Sequence, residues 1–262
     1  METSRQSRAA DTAALCAAAA LFAAVMFLGL ARFLLMPSRF LLALAITASF
    51  ALLAWLTRGV NASGALAGAV IAFIMAVRDL RFFWLLLAVF ALTHLATRWK
   101  RSTKVSSRLA EPANGRTASQ VMANLGLAGV LVAFAPAPFH LLALAALVEL
   151  VADTISSEVG TAYPGRTILI TSGKRVAPGT DGGISFTGTL AGCVGALAIA
   201  GLAFAVGLTS ERQSVVIVSA GILGMFVDSV LGATLERRRW LNNDLVNLLG
   251  TASAVGIARL SF

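Results

Sequence analysis

Charged residues are scarce in this 262-residue sequence. Asp, Glu, Lys and Arg together make up 13% of it, and 58% is hydrophobic, whereas soluble domains average roughly 25% charged residues. The mean hydropathy is +0.85. This composition excludes a water-soluble fold.

Cysteine and histidine are almost absent. Cys16 and Cys193 both lie inside apolar runs, which excludes a disulfide framework and a cysteine-based metal site. His94 and His140 each stand at the end of a run without a second histidine at ligand spacing, so we interpret them as interfacial residues. The Gly-x4-Gly-Lys-Ser/Thr signature of nucleotide-binding P-loops is also missing.

Acidic residues are outnumbered, 12 against 21 Lys and Arg, for a net charge of +9. In a soluble protein this excess would suggest nucleic acid as a partner. Here the basic residues fall between apolar runs, where they orient the chain and attract anionic headgroups or phosphorylated ligands. We therefore expect membrane lipids and no nucleic acid as partners.

Long apolar runs are what the sequence has in abundance. They predict an all-α polytopic membrane protein forming a single transmembrane domain over residues 1–262. The run from Thr12 to Leu30 exceeds the roughly 7 to 15 residues of a secretory signal and has no clear cleavage site after it, so we interpret it as the first helix. About nine spans are predicted: 11–35, 40–57, 61–77, 82–97, 118–135, 138–158, 183–208, 213–233 and 244–260.

The basic residues divide unevenly between the two sides that these spans define. With the N-terminus on the first side, 15 of the 21 Lys and Arg residues fall on that side and 6 on the other. The positive-inside rule then predicts that the N-terminus and the loops around Lys104, Lys174 and Arg238 are cytoplasmic. The expected location is the inner (cytoplasmic) membrane.

Polar side chains gather at one end of the predicted helices. A charge at the bilayer centre costs roughly 2.5 to 3.5 kcal/mol, so each such residue needs a partner or a function. In the predicted topology the cytoplasmic helix ends carry Asn124, Glu149, Asp153, Glu158, Asp228, Asn243, Asp244 and Asn247. This convergence predicts a site that opens to the cytosol.

Asp153 and Glu158 are five residues apart and would point about 140° apart on an ideal helix at 100° per residue. Both can face one ligand only if the helix ends or unwinds near Ser156. We expect such an ending because Gly160 and Pro164 follow.

A glycine-rich loop precedes the seventh predicted span. It contains Lys174 and Arg175 and then the run Gly179, Thr180, Asp181, Gly182, Gly183. Backbone N–H groups at a helix N-terminus, with cations nearby, bind phosphate groups. The loop predicts a phosphate-binding segment.

Each of these residues also has a structural interpretation. The carboxylates at 153, 158, 181 and 228 are either Mg²⁺ ligands or partners of Arg and Asn side chains at helix ends. Lys174 and Arg175 are either phosphate clamps or basic anchors at the membrane surface. Asn243, Asp244 and Asn247 suit the N-cap and first turn of a helix equally well.

Six segments carry a resemblance to a known family. They are ADTISSEVG (152–160), LITSGKRVAPGTDGGIS (169–185), FVDSVLGAT (226–234), NDLVN (243–247), TRGVNASGALAGAV (57–70) and QVMANLG (120–126). Together they resemble the DUF92 or TMEM19-like integral membrane proteins, which include the plant phytyl-phosphate kinase of tocopherol synthesis. The resemblance covers roughly residues 50–260 and leaves the first helices, within 1–49, outside.

The resemblance implies a kinase that transfers a phosphoryl group from CTP to an isoprenyl monophosphate. In that interpretation Asp153, Glu158 and Asp228 hold Mg²⁺ between the CTP phosphates, and Lys174 and Arg175 neutralise charge on the transferring group. The prenyl chain would lie between helices while CTP enters from the cytosol. A more distant similarity to dolichol kinases and CDP-diacylglycerol synthases points to CTP as well.

Two other functions remain open at this stage. A transporter or scramblase of anionic lipid or ions would place carboxylates along a pathway across the bilayer. A CTP-dependent cytidylyltransferase would release pyrophosphate instead of CDP. The sequence leaves open the length and saturation of the prenyl chain, the preferred nucleotide and the oligomeric state.

Overall fold

The computed structural model describes residues 2–35, 37–106, 114–163 and 165–261. Two residues that the sequence analysis used lie outside these ranges. They are Arg108, one of the 15 basic residues counted on the cytoplasmic side, and Pro164, which follows the expected end of a helix. The described chain is mostly helical, and two short strands form one hairpin. The helices are α1 (Glu2–Leu35), α2 (Pro37–Leu56), α3 (Ala62–Arg78), α4 (Leu80–Arg98), α5 (Arg101–Ser106), α6 (Ala118–Phe134), α7 (Ala143–Ala162), α8 (Phe186–Ala205), α9 (Glu211–Leu231) and α10 (Asn243–Arg259).

Six helical segments of the described chain are long and apolar enough to cross a membrane: Gln6–Leu28, Pro37–Leu56, Leu80–Arg98, Phe139–Ala162, Phe186–Ala205 and Glu211–Glu236. Helices α3 and α6 are shorter apolar helices. The all-α membrane fold predicted from the sequence is confirmed. The count of nine spans and the side on which the N-terminus lies stay predictions.

Local sequence signals set several helix starts. Thr117 and Gln120 form a reciprocal capping box at the start of α6, and Ser210 and Gln213 form another at the start of α9. Such boxes satisfy backbone N–H groups that have no partner within the helix. The Asn61 side chain caps α3 in the same way by accepting from Gly64 N at 2.9 Å.

Helix α7 lies at the centre of the bundle, in contact with α4, α6, α8, α9 and α10. Its apolar side chains from Ala143 to Val148 are fully buried. Glycines on α8 bring that helix close to it: a Cβ at Gly188 would lie 2.5 Å from Ser156 O, and one at Gly192 would lie 2.6 Å from Ala152 O. Close backbone approach over small residues is typical of membrane helix pairs.

Two helix boundaries next to the predicted site differ from the sequence prediction. Helix α7 continues to Ala162, so the expected unwinding near Ser156 is wrong. Residues Gly183–Ser185 form a strand, β2, that pairs antiparallel with β1 (Thr167–Leu169). The eighth helix therefore starts at Phe186, and the glycine run lies in a hairpin, not at a helix N-terminus.

Polar contacts join the starts of four helices at one end of the bundle. Asp11 of α1 accepts hydrogen bonds from Ser63 Oγ of α3 at 2.6 Å and from Ser119 N of α6 at 3.1 Å. Ser119 Oγ in turn donates to Asp244 Oδ2 of α10 at 2.6 Å. We call this end the polar end; it also carries the hairpin and α5.

The opposite end is held by a separate set of polar contacts. Asp79 and Arg81 form an ion pair at 2.6 Å, and Arg81 Nη1 donates to Gly207 O at 2.9 Å. The hydrogen bond from the Arg81 side chain lowers the pKa of Asp79 from its usual value. Arg259 lies over the Phe139 ring at 4.3 Å. These contacts tie the loops of this end together.

Candidate functional site

A polar cavity opens at the polar end, between the last turns of α7 and α9, the first turns of α6 and α10, and the hairpin. It encloses about 1140 Å³ including its open mouth. Eleven of the residues predicted for the site line it: Asn124, Asp153, Glu158, Gly179, Thr180, Asp181, Gly182, Gly183, Asp228, Asn243 and Asn247. We call it the acidic cavity. The structure brings these residues together, while the roles assigned to them stay predictions.

Lys174 and Arg175 do not line the acidic cavity. Both side chains are exposed, and both residues take part in the hairpin through their backbones: Lys174 O accepts from Leu169 N at 2.9 Å, and Arg175 bridges Ile168. Their position does not support the predicted phosphate clamp. Sequence proximity to the glycine run was misleading because the hairpin turns these two residues away from the cavity.

Asp244 also lies outside the cavity lining. Its carboxylate accepts the hydrogen bond from Ser119 Oγ and so ties the start of α10 to the start of α6. Asn242, not Asn243, is the N-cap of α10, since its side chain accepts from Leu245 N at 3.0 Å. Asn243 and Asn247 are therefore not needed as caps and remain available to a ligand.

Glu158 has a structural partner. Its Oε2 lies 2.5 Å from Nζ of Lys104, an α5 lysine that is fully buried. Lys104 Nζ also donates to Ala96 O and Thr97 O at the end of α4, at 3.1 and 2.8 Å. One Glu158 oxygen is thus occupied by a cation, which favours the structural interpretation of this carboxylate over a metal ligand.

Asp228 is in the opposite situation. Its Oδ2 is buried and has no hydrogen-bond partner, and the same holds for Oε1 of Glu149. Gly250 of α10 separates the two carboxylates: a Cβ there would lie 2.6 Å from Glu149 Oε1 and 3.1 Å from Asp228 Oδ2. A buried carboxylate oxygen without a donor is costly, so a cation or proton is the expected partner.

Asp153 and Glu236 add to the negative field around Asp228. The charges of Asp153 and Glu236 both act on Asp228, and those of Asp181 and Asp153 act on Glu236. Because like charges close to one another repel, this cluster of carboxylates favours a bound cation. It is concentrated at one end of the bundle and does not extend across it.

We tested whether these residues fit Mg²⁺. Among the described residues, no group of three or more Asp, Glu, His or Cys side chains is arranged to hold a metal by itself. Mg²⁺ is usually held by one or two carboxylates together with substrate phosphates and water. Asp153 and the unpartnered Asp228 fit that arrangement, whereas Glu158 does not.

A π-helical turn shapes the wall that carries Asp228. Helix α9 ends at Leu231 and continues as a π turn over Gly232–Glu236, and Gly232 and Glu236 both line the cavity. Such turns are frequent at functional sites. The widened turn makes room for the hairpin, where Gly182 packs against Ser229 O and Ala233.

Gly182→Ala is expected to lower the thermal stability of the purified protein more than Gly173→Ala. Both glycines have positive φ, +71° and +66°, so each substitution carries a backbone cost of about 1–2 kcal/mol. A Cβ at Gly182 would also lie 2.5 Å from Ser229 O, whereas a Cβ at Gly173 would have no atom within 4 Å. Melting temperatures in one detergent compare the two, and equal losses would show that the hairpin does not dock on the π turn.

Four residues with charged or amide side chains at this site were not predicted from the sequence. Arg116, Gln120 and Glu236 line the acidic cavity, and Lys104 supports it through Glu158. Arg116 and Lys104 were interpreted only as loop cations, although Arg116 stands directly before the capping box of α6, which fixes its place at a helix end. Glu236 follows Asp228 by eight residues, a spacing that keeps both on one face of a helix.

This chain is similar to several known membrane proteins. The DUF92 integral membrane protein family matches residues 45–255. An uncharacterized membrane protein of Synechocystis is 36% identical over 190 residues, which are 68% of this chain and 74% of that protein. An uncharacterized membrane protein of Methanocaldococcus jannaschii is 38% identical over 172 residues, 64% of this chain and 70% of that one.

A plant protein is also similar. The chloroplastic protein VTE6 of Arabidopsis thaliana is 31% identical over 180 residues, which are 64% of this chain and 54% of VTE6. The match thus spans about half of the plant protein. No solved structure matches significantly. Because the family match covers most of the chain, including every wall of the acidic cavity, this chain belongs to the DUF92 family of integral membrane proteins.

Proposed function

We propose that the protein is a CTP-dependent kinase that converts an isoprenyl monophosphate to the diphosphate at the cytoplasmic face of the membrane. The observation that supports this most is the buried, unpartnered Asp228 oxygen in a polar cavity lined by a glycine-rich hairpin. Such a cavity suits a cation bound with phosphate groups. The resemblance to a family that includes phytyl-phosphate kinase supplies the reaction.

The proposed reaction needs little from the protein beyond positioning and charge stabilisation. An oxygen of the prenyl phosphate attacks the γ-phosphorus of CTP, and the bond from that phosphorus to the β,γ-bridging oxygen breaks, so that CDP leaves. A phosphate monoester has a second pKa of about 6, so the attacking oxygen is mostly anionic near pH 7. No general base is required.

Each residue of the site then has a separate role in this reaction. Asp153 and Asp228 hold Mg²⁺, which when bound neutralises charge on the nucleotide phosphates. Asn243 and Asn247 at the start of α10 offer amide groups to the nucleotide, and Arg116 takes the phosphate-neutralising role first assigned to Lys174 and Arg175. Glu158 positions the end of α7 through Lys104.

Purified protein supplied with CTP, Mg²⁺ and phytyl, geranylgeranyl or farnesyl phosphate is expected to form CDP and the matching prenyl diphosphate in equal amounts. Radiolabelled CTP followed by thin-layer separation measures both products. Pyrophosphate with a CDP-linked lipid would instead identify a cytidylyltransferase. If no nucleotide and no prenyl phosphate gives a product, the kinase proposal fails.

A further inference from the structure

A second cavity lies beside the acidic cavity and has a different character. It is an open cleft of about 1000 Å³ including its mouth, between α2, α3, α4 and α6. Its walls are apolar over most of their length: Phe50, Ala51, Ala54, Ala65, Gly68, Ala69, Leu86, Val89, Phe90, Val121, Leu125 and Leu150.

Four arginines line the mouth of this cleft. They are Arg58 in the turn after α2, Arg98 at the end of α4, Arg101 in α5 and Arg116 before α6. The Arg98 guanidinium donates to Thr57 O, which fixes the turn beside it. Among the residues that the structure describes, the lining of the cleft includes these four arginines and no carboxylate, so the mouth of the cleft is positively charged. We call the whole cavity the arginine cleft.

The arginine cleft and the acidic cavity share a wall. Arg116, Gln120 and Asn124 line both of them. On α7, Leu150 lines the cleft and Asp153, one turn later on the same face, lines the acidic cavity. A ligand whose head lies at Arg116 would therefore have its charged end next to the carboxylates and its apolar end among the phenylalanines.

We infer that the arginine cleft binds the isoprenyl monophosphate acceptor, with the prenyl chain between α2, α3, α4 and α6 and the phosphate on Arg116 and its neighbours. This inference rests on the proposed function and assigns its lipid site. The match is one of charge and polarity: a fork of guanidinium groups recognises a phosphate, and an apolar wall recognises a hydrocarbon chain. Arg116 would present the attacking oxygen to the acidic cavity.

The steric test uses two glycines in the middle of helices. At Gly68, inside the cleft, an added Cβ would touch only Val121 Cγ1 at 3.9 Å, and at Gly201, on the exposed face of α8, it would touch nothing within 4 Å. Neither substitution strains the backbone. Gly68→Phe fills the cleft with a ring, and Gly201→Phe is the matched control.

Binding is measured without nucleotide, by displacement of radiolabelled geranylgeranyl phosphate from purified protein. We expect Gly68→Phe to weaken binding at least tenfold and Gly201→Phe to leave it within twofold. Where turnover is measurable, the loss in Gly68→Phe should be smaller for dimethylallyl phosphate, whose short chain does not reach the ring. Equal binding by both variants would overturn the assignment.

The charge test uses Arg116→Gln, with Arg212→Gln at the opposite end of the bundle as its control. The unaltered protein should prefer geranylgeranyl phosphate to geranylgeraniol, and Arg116→Gln should lose most of that preference while Arg212→Gln keeps it. If dioleoyl phosphatidic acid displaces the label as well as the prenyl phosphate does, the cleft is a site for general anionic lipid and the inference is wrong.

These outcomes separate the lipid site from the reaction. A protein that binds geranylgeranyl phosphate in the cleft and yields no product with any nucleoside triphosphate refutes the kinase and supports the cleft. A protein that makes the diphosphate equally well with and without Gly68→Phe supports the kinase and refutes the cleft.

Discussion

Asp228→Asn is expected to lower turnover by about a hundredfold or more, the typical loss when one electrostatic group of an active site is removed. The same variant should keep or raise the melting temperature. Asp228 Oδ2 is buried without a donor and stands in the field of Asp153 and Glu236. Replacing this carboxylate by an amide removes charge repulsion in the ligand-free protein. It also removes a ligand of the bound cation.

The combination of these two results is what identifies a functional carboxylate. Substituting a packing residue would lower the stability and the activity of the protein together. Substituting a group whose charge is unsatisfied in the free protein lowers the activity while the stability stays the same or rises. Asp153→Asn should behave alike, with weaker Mg²⁺-dependent CTP binding. Glu211→Gln, an exposed acidic residue in the first turn of α9, is the matched control and should change neither property.

Measurements on the same purified samples decide between the alternatives. Initial rates of CDP formation give the turnover, and thermal unfolding in detergent without ligand gives the stability. An Asp228→Asn protein that binds CTP and Mg²⁺ normally and retains its turnover would show that this carboxylate is structural. A marked loss of stability would show the same.

The sequence predicted the acidic cavity well because polar residues inside apolar runs are costly and therefore informative. Asp153 and Asp228 are conspicuous for that reason, and assigning the helix ends to one side was enough to bring them together with Asn124 and Asn247. The structure places all four around one cavity. The six helical segments long enough to cross a membrane each coincide with a predicted span, since apolar length is visible in any single span.

Residues in the loops were harder to assign, because a loop cation looks the same whether it anchors the chain or binds a ligand. Lys174 was assigned to the site, and the hairpin leaves it exposed; Arg116 was counted only for orientation, and it lines two cavities. The register of β1 on β2 decides the first outcome. Packing between α3 and α6 decides where Arg116 lies. Neither the strand register nor this helix packing can be seen in the local spacing of residues.

Lys104 and Glu158 show the same limit over a longer distance. They are 54 residues apart in the chain, and nothing in either segment indicates the other as its partner. The pair joins α5 to the last turn of α7, directly beneath the acidic cavity. From its position alone Glu158 was either a metal ligand or a structural partner, and the family resemblance favoured the metal ligand.

Lys104→Met is expected to lower the free energy of unfolding by about 3–5 kcal/mol, the usual cost of removing one partner from a buried ion pair. The Lys104 side chain is fully buried, and its loss removes the cation that faces Glu158 and the ammonium donor of the Thr97 carbonyl. The Ala96 carbonyl still accepts from the backbone N–H of Trp99. Lys100→Met is the control in the same segment. It removes only an exposed contact with the Tyr163 ring, worth about 0.5–1 kcal/mol.

The double variant Lys104→Met/Glu158→Leu separates a structural Glu158 from a metal-binding one. An apolar pair of similar volume often replaces a buried ion pair without loss, so most of the stability should return in denaturant unfolding. If Glu158 is structural, Mg²⁺-dependent CTP binding should return with it. A double variant that regains its stability and still binds no nucleotide with Mg²⁺ would restore Glu158 to the metal site and contradict the assignment made from its contact with Lys104.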